Sequence, residues 1–259
     1  MRQDFNYHTH TIRCGHAVGS DEEYVRCAVQ AGYRLLGFAD HGPNRFYSNP
    51  RSHMEWSQID EYLESIASLQ RRYEGQIRLL AGFETEYFPQ LHDEKVFLKR
   101  KSDYLILGQH FLHHDGQGSF FKTNSEEEIL EYGRAVCRGM ESGLFMYVCH
   151  PDLIMYRQSE FTDACAQVAD MIGRKAAETG MPLEVNVHRI AKGRVDFAEG
   201  PRFFYPHREF WEILARYPVR CLFGVDAHDP HQLAAGSDME TAYEELQDLG
   251  LSFLTEPLT

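Results

Sequence analysis

Seven short apolar, β-prone runs recur along the chain, and six of them carry a candidate metal-ligating histidine, aspartate or glutamate near their C-terminal end. In order they are DFNYHTH, RLLGFADH, IRLLAGFETEYF, YLILGQHF, LFMYVCHPD, PLEVNVH and VRCLFGVDAH. Near-continuous apolar runs of this length read as strands buried on both faces, as in a parallel sheet. Helical patterns separate most of them. Ser20 and Glu23 form a capping box for a helix through Tyr24, Val25, Ala28 and Val29 that Gly32 can end. Ile59, Tyr62, Leu63, Ile66 and Leu69 share one helix face, which stops near Gly75. Ser125 with Glu128, Thr162, and Ser237 with Glu240 start three more, the last two ending at Gly180 and near Gly250.

Strands alternating with helices predict an α/β fold with a parallel sheet. The polar strand ends decide between sheet forms. An open doubly wound sheet uses one crevice, fed by a few strands. A closed barrel collects functional residues from many strands at its C-terminal face. Six contributing strands therefore predict a TIM-like barrel of seven strands, occupying residues 1–259 as one domain.

The formal net charge of −13 disfavours nucleic-acid backbones and anionic membranes as partners. No apolar run is long enough to span a bilayer, and MRQDFNYHTH has no apolar core of a secretory signal. The six cysteines, Cys14, Cys27, Cys137, Cys149, Cys165 and Cys221, form no CxxC pair and mostly lie in apolar runs. They read as reduced thiols of a cytoplasmic protein.

The strand ends supply His8 and His10, with His16 in the next loop, then Asp40 and His41, Glu84, His110, His150, and Asp226 with His228. Residues i and i+2 of a strand point the same way, so His8 and His10 can grip one ion, and Asp226 and His228 obey the same rule. Imidazole and carboxylate suit zinc, iron and manganese. An isolated HxH carries little information, but two such pairs plus single ligands at three other strand ends define a metal site. Seven imidazoles and two carboxylates exceed what one or two ions need and fit three, which points to chemistry on an anion.

HxHx5H (His8, His10, His16), the DH pair (Asp40, His41), GFE (Glu84), GQH (His110), HPD (His150) and DAH (Asp226, His228) resemble the polymerase and histidinol phosphatase (PHP) family, and most closely its monofunctional histidinol-phosphatase branch. The match covers nearly the whole chain. The resemblance implies a distorted (β/α)7 barrel with three divalent ions. His8, His10, Glu84 and Asp226 would hold one. Glu84 would bridge to a second, completed by His110 and His150, while His16, His41 and His228 would hold the third. Glu86 competes with Glu84 for the ligand role, and the glycine-containing GF before Glu84 favours the latter.

The expected reaction is hydrolysis of L-histidinol phosphate to L-histidinol and phosphate by a hydroxide held between two ions. Asp226 and Asp40 are the candidates for proton transfer, Asp40 alternatively orienting His41. Phosphate suits the planar fork of arginine. Arg157 after the fifth run, and Arg189, Lys192 and Arg194 after the sixth, are candidates, with Arg157 and Arg194 preferred. His188 ends the sixth run and could face the site without touching metal, and the FFYP and FWEIL aromatics read as core. The alternatives are another PHP phosphoesterase acting on a different small phosphate or phosphotyrosine, a two-metal amidohydrolase, and a non-catalytic metal-binding module. His16, the DH pair and His228 argue against the amidohydrolase.

Overall fold

The computed structural model describes residues 3–122, 125–234 and 236–258. The chain opens with β1 (Phe5–Asn6), α1 (Asp21–Ala31), β2 (Leu35–His41), α2 (Ile59–Arg72), β3 (Arg78–Thr85), α3 (His92–Lys101) and β4 (Tyr104–Leu107). Two consecutive helices follow, α4 (Glu126–Glu141) and α5 (Asp163–Thr179), then β5 (Leu183–Asn186). A hairpin of β6 (Val195–Phe197) and β7 (Gly200–Arg202) leads to α6 (Arg208–Leu214), β8 (Arg220–Gly224), α7 (Gly236–Leu246) and β9 (Ser252–Phe253).

β1 to β4 pair in parallel in sequence order, and β5 pairs in parallel with β8. The fifth apolar run forms no regular strand. Val148 alone bridges Leu107 on one side and Leu183 on the other. Its neighbours still extend the ladder, for Met146 N donates to Leu105 O and Cys149 N to Leu107 O. The two half-sheets thus join through this segment into one curled parallel sheet. The remaining seam, between β1 and β8, closes backbone to backbone only at its upper rim: His10 N donates to Ala227 O and Ala227 N to His8 O. Below the rim, side-chain amides replace the ladder. Val225 N donates to Asn6 Oδ1, and Phe223 N to Gln3 Oε1. These bonds satisfy buried backbone groups that would otherwise be orphaned. The barrel is therefore distorted at the same seam that carries His8, His10 and Asp226.

Local signals match the helices. Ser20 and Glu23 make the capping box and Gly32 ends α1 in the left-handed conformation. Ser125 and Thr162 cap α4 and α5, and Gly180 closes the latter. Ser237 lies inside α7 rather than ahead of it. Two helices escape the sequence pattern. α3 enters from a 3-10 turn over Pro89–Leu91 with no side-chain cap and buries only Glu94, Lys95 and Leu98. α6 is short, and its Phe210, Trp211, Ile213 and Leu214 are core as expected. The hairpin and β9 are further additions.

The main core lies between the sheet and the helices. A second cluster, including Phe5, Tyr7, Tyr104, Ile106, Tyr147 and Leu222, fills the barrel interior. Tyr104 Oη donates to the carbonyls of Tyr7 and Phe38, at 2.6 and 3.0 Å, so the buried phenol is satisfied. This floor blocks the lower barrel, leaving the C-terminal strand ends as the accessible interior. All six cysteines are free thiols. No helix among the described residues is long and apolar enough to cross a membrane.

Candidate metal centre

The strand-end residues converge on a cavity of about 330 Å³ lined by His16, His41, Glu84, His110, His150, Asp226 and His228, among others. His8 and His10 sit fully buried beneath it. All nine sequence-predicted ligands are thus brought together.

Glu84 is the hub. Its Oε2 lies 3.4 Å from His8 Nε2, 3.5 Å from His10 Nε2 and 2.9 Å from His41 Nδ1. Its Oε1 faces a different set, 3.2 Å from His110 Nε2 and 2.8 Å from His150 Nε2. One carboxylate therefore serves two groups of donors. Asp226 Oδ1 lies 3.0 Å from His10 Nε2, 3.5 Å from His8 Nε2 and 3.4 Å from His228 Nδ1. His16 approaches from the exposed loop, its ring 4.6 Å from that of His228 and 5.4 Å from that of His41.

Most imidazoles are held by the nitrogen that faces away. His8 Nδ1 lies 2.9 Å from Glu184 Oε2, and His110 Nδ1 2.9 Å from Glu86 Oε1. His16 Nδ1 lies 3.0 Å from Cys14 O, and His228 Nδ1 3.0 Å from Asp226 O. Each acceptor fixes the proton on Nδ1 and turns the Nε2 lone pair toward the cavity, as metal ligation requires. The buried atoms His8 Nε2, His10 Nε2, His41 Nδ1, Glu84 Oε2 and His228 Nε2 have no aligned hydrogen-bond partner. Leaving one such atom unsatisfied costs about 1–3 kcal/mol. Five of them pointing at one another is the signature of a centre built for cations. Among the groups whose ligand atoms all lie within 4.8 Å of one another are His8, His10 and Asp226, and His10, His41 and His228.

The electrostatics agree. Burial opposes charge on Glu84, yet His110, His41 and His8 hold its carboxyl well below the usual range. Asp226 is lowered in the same way, against burial, by His8, His188 and His10. Burial works against a charged His10, but the neighbouring carboxylates of Asp226 and Asp40 push it up to about 9. Burial, reinforced by His10, holds His228 well below its ordinary value. The two carboxylates draw positive charge into a dry site.

The backbone is specialised here. Among the described residues, His150 (φ 31°) and Asp226 (φ 51°) are the non-glycine residues with positive φ. Such conformations cost of order 1–3 kcal/mol each and persist where the surroundings enforce them, typically at functional sites. Glycines make room for the carboxylates. A Cβ on Gly108 would collide with the Glu84 carboxylate, and one on Gly224 with that of Glu184.

Several contributors had no signal in the strand-end pattern. Glu184 and Asn186 share one face of β5, and Asn186 Nδ2 donates to Glu184 Oε1 (2.8 Å) and Asp226 Oδ2 (3.2 Å). A polar E-x-N pair inside an otherwise apolar strand was the available clue. Glu86 takes no place at the centre but holds His110 from behind. Cys149, read from sequence as one of the reduced thiols in apolar runs, donates to Glu84 Oε1 at 3.2 Å. Asp40 accepts from His41 N at 2.9 Å and faces His10 Nδ1 at 3.5 Å, away from the cavity.

The basic candidates separate. Arg189 lines the cavity, 5.4 Å from the Tyr156 ring centroid, with its Nε unpartnered. Arg157, Lys192 and Arg194 do not line it. Arg157 and Lys192 are exposed, and Arg194 is paired with Glu245 on α7. For Lys192 and Arg194 the physical reason is the 3-10 turn over Ile190–Lys192, which turns the chain into the β6–β7 hairpin directly after Arg189, while Arg157 follows a separate 3-10 turn, Leu153–Tyr156, and points to solvent. Tyr205 of the FFYP segment also lines the cavity, as do Ser52, His53, Phe111, Phe121 and His188.

A relative from Deinococcus radiodurans, named as a probable histidinol-phosphatase, is 30% identical over 255 residues, covering 94% of this chain and 92% of its own. The histidinol-phosphatase of Bacillus subtilis is 28% identical over 147 residues, covering 52% of this chain and 53% of its own. Among solved structures, the histidinol phosphate phosphatase of Lactococcus lactis, in complex with zinc, L-histidinol and phosphate, matches with a TM-score of 0.72 at 17% identity. That alignment covers 97% of this chain and 95% of the other, and it shows the shared fold. The PHP domain model matches residues 6–188, which hold seven of the nine converging ligands, and the chain belongs to the PHP domain family.

Proposed function

We propose that this chain is a metal-dependent phosphomonoesterase that hydrolyses L-histidinol phosphate to L-histidinol and phosphate. The observation that carries the reading is the nine-ligand cluster at the base of a cavity with Arg189 on its wall. The names of the Deinococcus and Bacillus relatives support the substrate. Three divalent ions of the zinc, manganese or iron class would fit the donor set, Glu84 offering one oxygen to each of two groups of histidines. Bound there, the ions would supply hydroxide near neutral pH and take up charge on the phosphate oxygens.

The protein's own groups do the rest. Glu184 and Glu86 orient His8 and His110. The Arg189 guanidinium, resting over the Tyr156 ring and not spent on an acidic partner, would bind phosphate oxygens. Asp226, hydrogen-bonded through Oδ2 to Asn186 and held ionised, would relay a proton from water to the leaving oxygen as well as ligate. Asp40 acts behind His10 and His41 rather than on substrate. Phe111 and Phe121 give the cavity an apolar wall for the imidazole of the substrate. On this reading the enzyme works in the cytoplasm on a small metabolite, and the net charge of −13 disfavours nucleic acid and anionic membranes as partners.

Phosphate release from histidinol phosphate, comparing wild type with Asp226→Asn, tests the site. Equal rates would refute it. A panel of phosphomonoesters including phosphotyrosine tests the substrate, and turnover of histidinol phosphate no faster than that of generic esters would remove the specific assignment.

A further inference from the structure

We propose that Arg13 is a positioning residue of the metal centre, acting through Thr11 and Asp40 on His10 and His41 and through its own loop on His16. The proposal rests on the metal-dependent reading above.

All five N–H donors of the Arg13 guanidinium are used. Nε and Nη2 each donate to Glu61 of α2, both at 2.8 Å. Nη1 and Nη2 each donate to Asp21 of α1, both at 2.9 Å. The fifth donor, also on Nη1, reaches Thr11 Oγ1 at 3.1 Å. The side chain is only 8% exposed and lies against the Tyr62 ring. A fully subscribed planar fork leaves a single orientation.

That geometry dictates the direction of the next bonds. Thr11 Oγ1 accepts from Arg13 Nη1 and from Arg13 N, so both lone pairs are occupied. Its one proton must therefore be donated, and it goes to Asp40 Oδ2. Asp40, fully buried, accepts from His41 N with its other oxygen, and that oxygen faces His10 Nδ1 at 3.5 Å. A carboxylate facing Nδ1 favours a proton on that nitrogen and leaves Nε2 toward Glu84 and Asp226. The same arginine pins a 3-10 turn, Ile12–Cys14, that ends two residues before His16. The otherwise exposed loop bearing His16 is thereby tied to two helices. Buried groups behind metal ligands contribute roughly 10- to 100-fold in metal affinity when removed.

The test uses full-length holoenzyme and the variants Thr11→Val, Thr11→Ser and Arg13→Met. Bound metal per chain is measured after dialysis against graded chelator, with thermal melting, kcat and KM on histidinol phosphate alongside. Thr11→Val and Arg13→Met should lose metal at chelator concentrations roughly 10- to 100-fold lower than wild type, and Thr11→Ser should restore retention. Thr11→Val with wild-type retention overturns the proposal. So does Thr11→Ser losing metal as readily as Thr11→Val, since the methyl group and not the hydroxyl would then matter. If Arg13→Met does not fold, the threonine pair decides. Wild type that holds no divalent ion overturns the metal-centre reading itself, and this proposal with it.

Discussion

Glu184 shows how one side chain can govern a site without a place at its centre. Its carboxylate is fully buried, bonded to His8 Nδ1 and Asn186, and has no arginine or lysine beside it among the contacts described. Glu184→Gln keeps the size but cannot both accept from His8 and stay charged. Metal affinity should fall roughly 10- to 100-fold, read as earlier metal loss on chelator titration. Arg189 makes the complementary prediction at the substrate end. Removing a charged hydrogen bond worth about 1.5–3 kcal/mol raises KM for histidinol phosphate roughly 10- to 100-fold in Arg189→Ala. Arg157→Ala and Arg194→Ala should stay within about twofold of wild type, because neither side chain lines the cavity. Steady-state kinetics on the three variants check this. At this scale the side chains that converge on the cavity were legible because nearly all are polar residues where an apolar run stops. Glu184 was not, because it sits mid-strand, where a lone carboxylate is masked by its apolar neighbours. The choice among the basic residues turned on a loop path that residue type does not encode.

Strand ends carry the site, and their glycines set its dimensions. Gly108 at the end of β4 leaves the space that the Glu84 carboxylate occupies. Gly108→Ala should therefore fold, with an unchanged far-ultraviolet circular dichroism spectrum, yet bind less metal and lose activity more than tenfold. A variant with full metal content would show that Glu84 can shift without loss. The capped helices α1, α4 and α5 were readable because a cap is a local contract between a side chain and its own backbone. α3 was not, since it has no cap and its buried face includes Glu94 and Lys95. The fifth run was read as a strand like the rest, but it contributes one bridging residue, with His150 at positive φ just beyond. Apolar composition reports burial, and it does not distinguish a regular strand from a bent segment that is equally buried.

For the whole molecule, a buried polar group away from the site sets a pH dependence of stability. His207, outside the metal centre, is buried against Phe161, and its Nε2–H faces Glu199 Oε1 at 3.2 Å. Burial lowers its pKa to about 4. Unfolded, the same imidazole titrates near 6.5, so the unfolded chain binds the proton first as pH falls. The His207 contribution is therefore fully present above about pH 6.5 and is lost as pH falls toward 4, by roughly 3 kcal/mol. Denaturant unfolding of wild type and His207→Gln across this range should show wild type losing stability relative to the variant. A pH-independent difference would sink the assignment.

By itself the sequence determined that strands and helices alternate, that a barrel-like sheet collects polar groups at one end, and which nine side chains could ligate metal. These are consequences of periodicity and residue chemistry, which act over a few positions. Only the tertiary structure decided that the barrel closes through the amides of Gln3 and Asn6. It alone decided that Glu84 divides its two oxygens between two sets of histidines, and that Arg189 rather than Arg194 faces the cavity. Those outcomes depend on distances between residues tens to hundreds of positions apart, set by how the sheet curls and where each loop returns.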